Sequence, residues 1–186
     1  MKYLLWILSM VSFLEAKSVF WFTGLPCSGK TTIAEAICEK HPEFVHLDGD
    51  ALRRTLSADL GFSIEDRQKN LERIARFAVS KLEDSDTVLV TTISPLESHR
   101  ELVRSIFKNE GVEFFVVYVD TSLETCVQRD VKGMYAKALK GEIKEFTGIS
   151  SPYEPPSKAD LVFQTHLEPL DQIIPKFETF CIKMTK

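Results

Sequence analysis

The sequence predicts an α/β fold, a three-layer sandwich with a five-stranded parallel sheet flanked by helices and a mobile lid. Three observations predict it. Short β-rich apolar runs alternate with longer stretches of helical periodicity, as in a parallel sheet covered on both faces. The first apolar run ends in a glycine-rich turn that opens directly into a helical segment. A Lys- and Gly-rich stretch over 130–156 breaks the alternation and ends in Ser-Pro-Tyr-Glu-Pro-Pro. That chemistry suits a lid (about 130–153) and an extended crossing segment, not a core element.

Strands are expected over 19–23, 44–47, 87–92, 113–119 and 161–164, each a β-branched or aromatic run bounded by turn residues. Helices are expected over 31–40, 64–83, 96–109, 122–129 and 170–182. The second of these is the clearest: Leu71, Ile74, Ala75, Ala78 and Leu82 recur on one face at helical spacing.

The chain has 186 residues, enough for one domain with a real core, expected over 18–186. It carries 23 Lys+Arg against 27 Asp+Glu, a formal charge of −4. Duplex binding draws on clustered basic residues, so this balance argues against a nucleic-acid partner while leaving room for a nucleotide site. Cys27, Cys38, Cys126 and Cys181 form no CxxC pair and no zinc spacing, and the four histidines are scattered. Dispersed thiols read as a reduced, cytoplasmic chain. Residues 1–17 form an apolar extension whose uncharged run, 3–14, is too short for a comfortable membrane span. It resembles a signal peptide with a poor cleavage site. It reads better as a helix packed on the domain or a partner subunit, or as a leader before a true start at Met10. No membrane partner is expected.

Gly24-Leu25-Pro26-Cys27-Ser28-Gly29-Lys30-Thr31 fits G-x-x-x-x-G-K-[ST] between a strand and a helix, the context that motif requires. Its backbone N–H groups can curl around phosphates, and the helix N-terminus adds partial positive charge. Lys30 is expected to reach the β/γ oxygens of ATP, and Thr31 to hold Mg²⁺, with Thr32 beside it. After the second strand come Asp48-Gly49-Asp50 and Arg53. Two carboxylates at a strand end facing this loop suit Mg²⁺ ligation and proton abstraction from an acceptor hydroxyl.

Further motifs follow in order: Asp59-Leu60-Gly61-Phe62-Ser63, then Arg67 and Asn70, then Ile93-Ser94-Pro95. The lid carries Arg129-Asp130-Val131-Lys132-Gly133-Met134-Tyr135, then Ile143-Lys144-Glu145-Phe146-Thr147-Gly148-Ile149. In this order the sequence resembles the adenylylsulfate (APS) kinases, P-loop kinases, over about 18–165. The resemblance implies transfer of the ATP γ-phosphate to the 3′-hydroxyl of adenosine 5′-phosphosulfate, with Mg²⁺, in sulfate assimilation. It also implies a homodimer and the strand order 2-3-1-4-5. Phe62 and Phe146 match aromatics that sandwich the acceptor adenine, a contact worth about 1–3 kcal/mol per base. Arg53, Arg67 and Asn70 match residues that hold its phosphosulfate and sugar. Ile93, Ser94 and Thr147 match acceptor contacts, and Lys132 and Lys144 match lid lysines near the phosphates.

Asp48 and Asp50 match the acidic pair; Asp50 is favoured near the 3′-hydroxyl and Asp48 near the metal, an order that sequence alone leaves open. Ser94 matches a serine described in the family as a phosphoserine intermediate, but an unactivated serine is a weak nucleophile and in-line transfer does not need one. The chain departs from the family pattern at Ala51, at Thr55-Leu56-Ser57, at Thr92, and in the lid at Ala136 and Leu139. Two alternatives stay open: a same-fold kinase of another nucleotide-like acceptor, such as cytidine diphosphoramidate, and a non-catalytic nucleotide-binding module.

Overall fold

Alternate side chains of a strand point to opposite faces, so a strand buried on both faces reads as an unbroken apolar run. The first strand, β1 (Ser18–Thr23), behaves this way, with all six residues buried. The computed structural model of the chain describes residues 17–184. The extension expected over 1–17 lies outside them except for Lys17.

The elements then run α1 (Lys30–Lys40), β2 (Val45–Asp48), α2 (Gly49–Thr55), α3 (Ile64–Lys81), β3 (Thr87–Thr91), α4 (Glu97–Asn109), β4 (Glu113–Val119), α5 (Leu123–Arg129), α6 (Met134–Leu139), β5 (Leu161–Phe163) and α7 (Leu170–Met184). The five strands form one parallel sheet in the order β2-β3-β1-β4-β5, as the resemblance implies.

Each face of the sheet has its own core. Phe20 and Phe22 of β1 join Phe115 and Val117 of β4 under Ile33 and Ile37 of α1 and Ile173 and Phe177 of α7. Val19 and Trp21 face the other way, with Val88, Val90, Phe114 and Val116, under Leu71, Ile74 and Ala78 of α3 and Val103 and Phe107 of α4. Burying each of the larger side chains stabilises the fold by about 1.5–3 kcal/mol. The parallel strands all end on one side, and the loops that follow them meet there to form the site.

Two elements depart from expectation. No helix is expected over 49–55, yet the Asp48-Gly49-Asp50 segment at the end of β2 is the entry to α2, with Asp48 as its N-cap. The stretch expected to be a lid without core structure contains α6, and Tyr135 and Ala138 of α6 are buried. The Tyr135 hydroxyl donates to the Pro26 carbonyl at 3.0 Å, so the phenol docks α6 onto the phosphate loop. Asp130 orders the entry to α6 by accepting from the N–H groups of Tyr135 and Ala136, each at 2.9 Å. Composition hid this helix because only one of its faces meets the domain.

Replacing Tyr135 by Ala is expected to cost about 3 kcal/mol, the ordinary penalty for deleting a buried aromatic. At about 2–4 °C per kcal/mol for a chain of this size, the melting midpoint should fall by several degrees. An unchanged midpoint in a thermal scan would show that α6 contributes nothing to the folded state.

Candidate functional site

The loop between β1 and α1 begins with a close approach that leaves no room for a side chain at Gly24. A Cβ on Gly24 would lie 2.6 Å from the Val119 carbonyl, and Cys27 adopts φ 59°, in the left-handed region. Gly29, at φ 103°, opens α1. Lys30 is buried, its Nζ donating to the carbonyls of Gly24 (2.9 Å) and Leu25 (2.7 Å) and to Ser28 Oγ (3.3 Å). Burial pushes its pKa down to about 8, against the opposing pull of nearby Cys126, Asp50 and Asp48. Thr32 is exposed on the first turn of α1.

Arg129, which the sequence motif includes without assigning it a role, reaches this loop from the end of α5. It donates to the Ser28 carbonyl at 3.2 Å and to Thr165 Oγ1 at 2.8 Å. Thr165 in turn donates to the Ser28 carbonyl at 2.8 Å.

The acidic pair splits in geometry. Asp48 Oδ2 accepts from Thr31 Oγ1 at 3.0 Å, and Oδ1 accepts from the Ala51 N–H at 2.8 Å. Burial works to raise the Asp48 pKa, but these two hydrogen bonds, together with nearby His46 and Lys132, outweigh it and hold the carboxyl below the usual carboxylate range. A charged carboxylate beside a hydroxyl is the hard-oxygen donor set that suits Mg²⁺. Asp50 projects outward and pairs with Lys132 of the lid segment at 2.5 Å. Asp50 and Arg53 lie one turn apart on α2.

Arg53 leads from α2 to the segment around Phe62. Its guanidinium lies 4.3 Å from the centre of the exposed Phe62 ring and donates to the Gly61 carbonyl. Arg67, on the first turn of α3, donates to the Phe62 carbonyl at 2.8 Å, to Thr147 Oγ1 at 3.0 Å and to the Glu145 carbonyl. One guanidinium therefore binds the segment around Phe62 to the one carrying Phe146 and Thr147. Phe146 packs edge-on against Tyr135 with ring centres 4.9 Å apart. Asn70 is buried, with its Oδ1 unpaired. Lys144 is exposed.

Ile93 and Ser94 follow β3. Ser94 is buried at φ 35°, and its Oγ accepts from Trp21 Nε1 at 3.1 Å. The hydroxyl is thus tied to a core indole. The Ile93 carbonyl accepts from Thr23 at 2.7 Å. A cleft of about 520 Å³ lies on the Leu25 side of the 148–155 strap, lined by Tyr118, Ile149 and Tyr153 among others. No helix among the described residues is long and apolar enough to cross a membrane.

The structure thus brings Lys30, Thr31, Asp48, Asp50 and Lys132 together, and groups Arg53, Phe62, Arg67, Phe146 and Thr147 beside them through α2. The adenylylsulphate kinase family model matches residues 16–164. A probable adenylyl-sulfate kinase of Pseudomonas aeruginosa is 46% identical over 160 residues, covering 84% of this chain and 73% of that protein. The bifunctional enzyme CysN/CysC of Mycobacterium tuberculosis is 48% identical over 145 residues, which are 76% of this chain and 24% of that one. Among solved structures, the Mycobacterium tuberculosis APS kinase CysC in complex with AMPPNP and APS superimposes with a TM-score of 0.83 at 41% identity, covering 89% of this chain and 97% of that one. The family match runs through the phosphate loop, both aspartates, the paired aromatic segments and the lid, and the chain belongs to the adenylylsulphate kinase family.

Proposed function

We propose that the chain transfers the γ-phosphate of ATP to the 3′-hydroxyl of adenosine 5′-phosphosulfate, giving the 3′-phosphorylated product for sulfate assimilation. One observation supports this above the others: α2 bridges a phosphate-binding half and an aromatic, arginine-rich half, with Asp50 facing one and Arg53 the other. Phe62 and Phe146 fit an adenine, and Arg53 and Arg67 fit the anionic tail of such an acceptor.

Each step falls to groups of this chain. The N–H groups of the loop and of the start of α1 bind the ATP phosphates, and Lys30 turns from the Gly24 and Leu25 carbonyls to meet the charge that develops on them. Thr31 and Asp48 would hold Mg²⁺, which would neutralise the phosphate oxygens. Asp50 accepts the proton of the acceptor hydroxyl as the hydroxyl attacks the γ-phosphorus in line. Before that, Lys132 must leave Asp50. An exposed ion pair costs little to break, so the phosphates can draw Lys132 away. Closure of the 130–153 segment then excludes water, so that the hydroxyl and not water is the acceptor. Ser94 takes no covalent part in this scheme, its hydroxyl being held by Trp21. A cytoplasmic homodimer is the working unit we propose, supported by the need for ATP and by the family resemblance.

The direct test is ADP release with Mg·ATP, comparing adenosine 5′-phosphosulfate with cytidine and other adenine nucleotides as acceptors. Selective turnover of the phosphosulfate is expected. Turnover of a different nucleotide instead would move the acceptor assignment to the residues around Ala51 and Ser57, and no turnover at all would point to a binding module. Asp50→Ala should lower kcat by about 10²–10⁴-fold with ATP affinity little changed, and full activity in that variant would refute the assigned base.

Lys30 yields a pH prediction. Its pKa of about 8 lies below the ordinary lysine value, so it is mostly charged near pH 7 and mostly neutral near pH 9. Bound phosphate favours the charged form. ATP binding should therefore add almost no proton to Lys30 near pH 7 and about one near pH 9, weakening with rising pH. Calorimetry in buffers of different ionisation enthalpy measures this directly. The Lys30→Met variant should lose that uptake.

A further inference from the structure

Arg100 is the only arginine among the described residues that is buried, at 2% exposure. Desolvating a guanidinium is costly unless its donors are met. Here Nη1 donates to the Ser94 carbonyl at 2.7 Å, Nη2 to the Glu154 carbonyl at 2.7 Å and to Glu97, and Nε to Glu97 Oε2 at 3.2 Å. Lys30 and Arg129 serve the phosphate loop; Arg100 touches none of it. It joins the turn after β3 to the strap that runs from the lid towards β5.

One partner is a strained turn and the other a strap without regular secondary structure over 152–156. Ser94 sits at φ 35°, a conformation costing about 1–3 kcal/mol in a residue with a side chain, and such a turn persists only where its surroundings over-determine it. Trp21 holds its hydroxyl and Arg100 its carbonyl. The strap is pinned to the same turn by its own backbone, the Glu154 N–H donating to the Pro95 carbonyl at 2.8 Å. The Glu154 side chain also accepts from the Glu97 N–H at 2.7 Å, capping the first turn of α4.

We propose that Arg100 is a positioning residue for the acceptor: its planar fork ties the strained turn at Ser94 to the strap at Glu154 and so sets the spacing between Ile93–Ser94 and Phe146–Thr147. The inference rests on reading those two segments as the acceptor site. A lysine keeps the charge but cannot span two carbonyls and a carboxylate in one plane. Losing Arg100 should therefore relax acceptor recognition and leave nucleotide binding at the phosphate loop alone.

The test uses Arg100→Lys and Glu97→Gln in the full chain, with Trp6→Phe so that Trp21 is the sole indole. Folding is checked by thermal melting. In folded Arg100→Lys, KM for adenosine 5′-phosphosulfate should rise about tenfold or more while the ATP dissociation constant stays within about twofold, and Trp21 emission should shift as the Ser94 turn loosens. Glu97→Gln should move KM for the acceptor in the same direction by about threefold. An acceptor KM unchanged in folded Arg100→Lys, or an equal loss of ATP affinity, would overturn the proposal. If Arg100→Lys does not fold, an unchanged acceptor KM in Glu97→Gln overturns it. A parent protein that turns over no phosphosulfate would sink the proposed reaction instead. The Trp21 emission shift, which needs no substrate, would still decide whether Arg100 holds the turn.

Discussion

The carboxylate of Asp48 is the joint on which the site depends. It stands at the end of β2, an edge strand, and touches α1 through Thr31 and α2 through the Ala51 N–H. Thr91 of β3 approaches it at 3.4 Å and is itself 3.0 Å from His46 Nε2. An edge strand has one neighbour, so its end is positioned by side-chain contacts more than by the ladder. By accepting from both sides, Asp48 fixes where α2 begins, and the start of α2 decides where Asp50 and Arg53 point. The same hydrogen bonds keep the carboxyl ionised, so one geometry supplies both the scaffold and the charge.

The segments around Phe62, Ser94 and Phe146 are held by a different kind of contact. Among the described residues no strand pairs with the segments carrying Phe62, Ser94 and Phe146, so their backbone carbonyls need other partners. Arginine forks supply them: Arg53 and Arg67 on the segment around Phe62, Arg67 again on the Phe146 segment, and Arg100 on the Ser94 turn and the strap. A guanidinium offers five donors in one plane, which lets a single side chain join two or three loops. Several arginines here therefore act on the loops that shape the site as well as on charge.

Much of this was legible beforehand. The five strands, the long helix over α3 and the phosphate loop follow from local signals: an apolar run, a 3.6-residue period, and glycines where the backbone must turn sharply. The boundaries came within two residues for the strands, since β-branched runs end at turn residues. Helix α2 was missed because it opens on Gly49 and Asp50 behind an aspartate N-cap, and these residue types favour caps and turns unless a neighbour satisfies the first N–H groups. Helix α6 was missed because its one buried aromatic, Tyr135, has no periodic companions beyond Ala138. Arg100 was passed over because a lone arginine in a helix is usually a solvated charge, and Arg129, although part of a quoted motif, was given no role.

The sequence by itself determined the class of the fold, the phosphate-binding loop and the identity of the chemical groups, because these depend on residue type at fixed spacing along the chain. Only the tertiary structure decided which of these groups meet. Ser94 turned its hydroxyl to Trp21, 73 residues away in sequence, and Lys132 found Asp50 across a separation of 82. Those pairings depend on how the sheet stacks its strand ends and where the crossing strap lies. Distances of that kind are set by packing of the whole domain, and no local pattern encodes them.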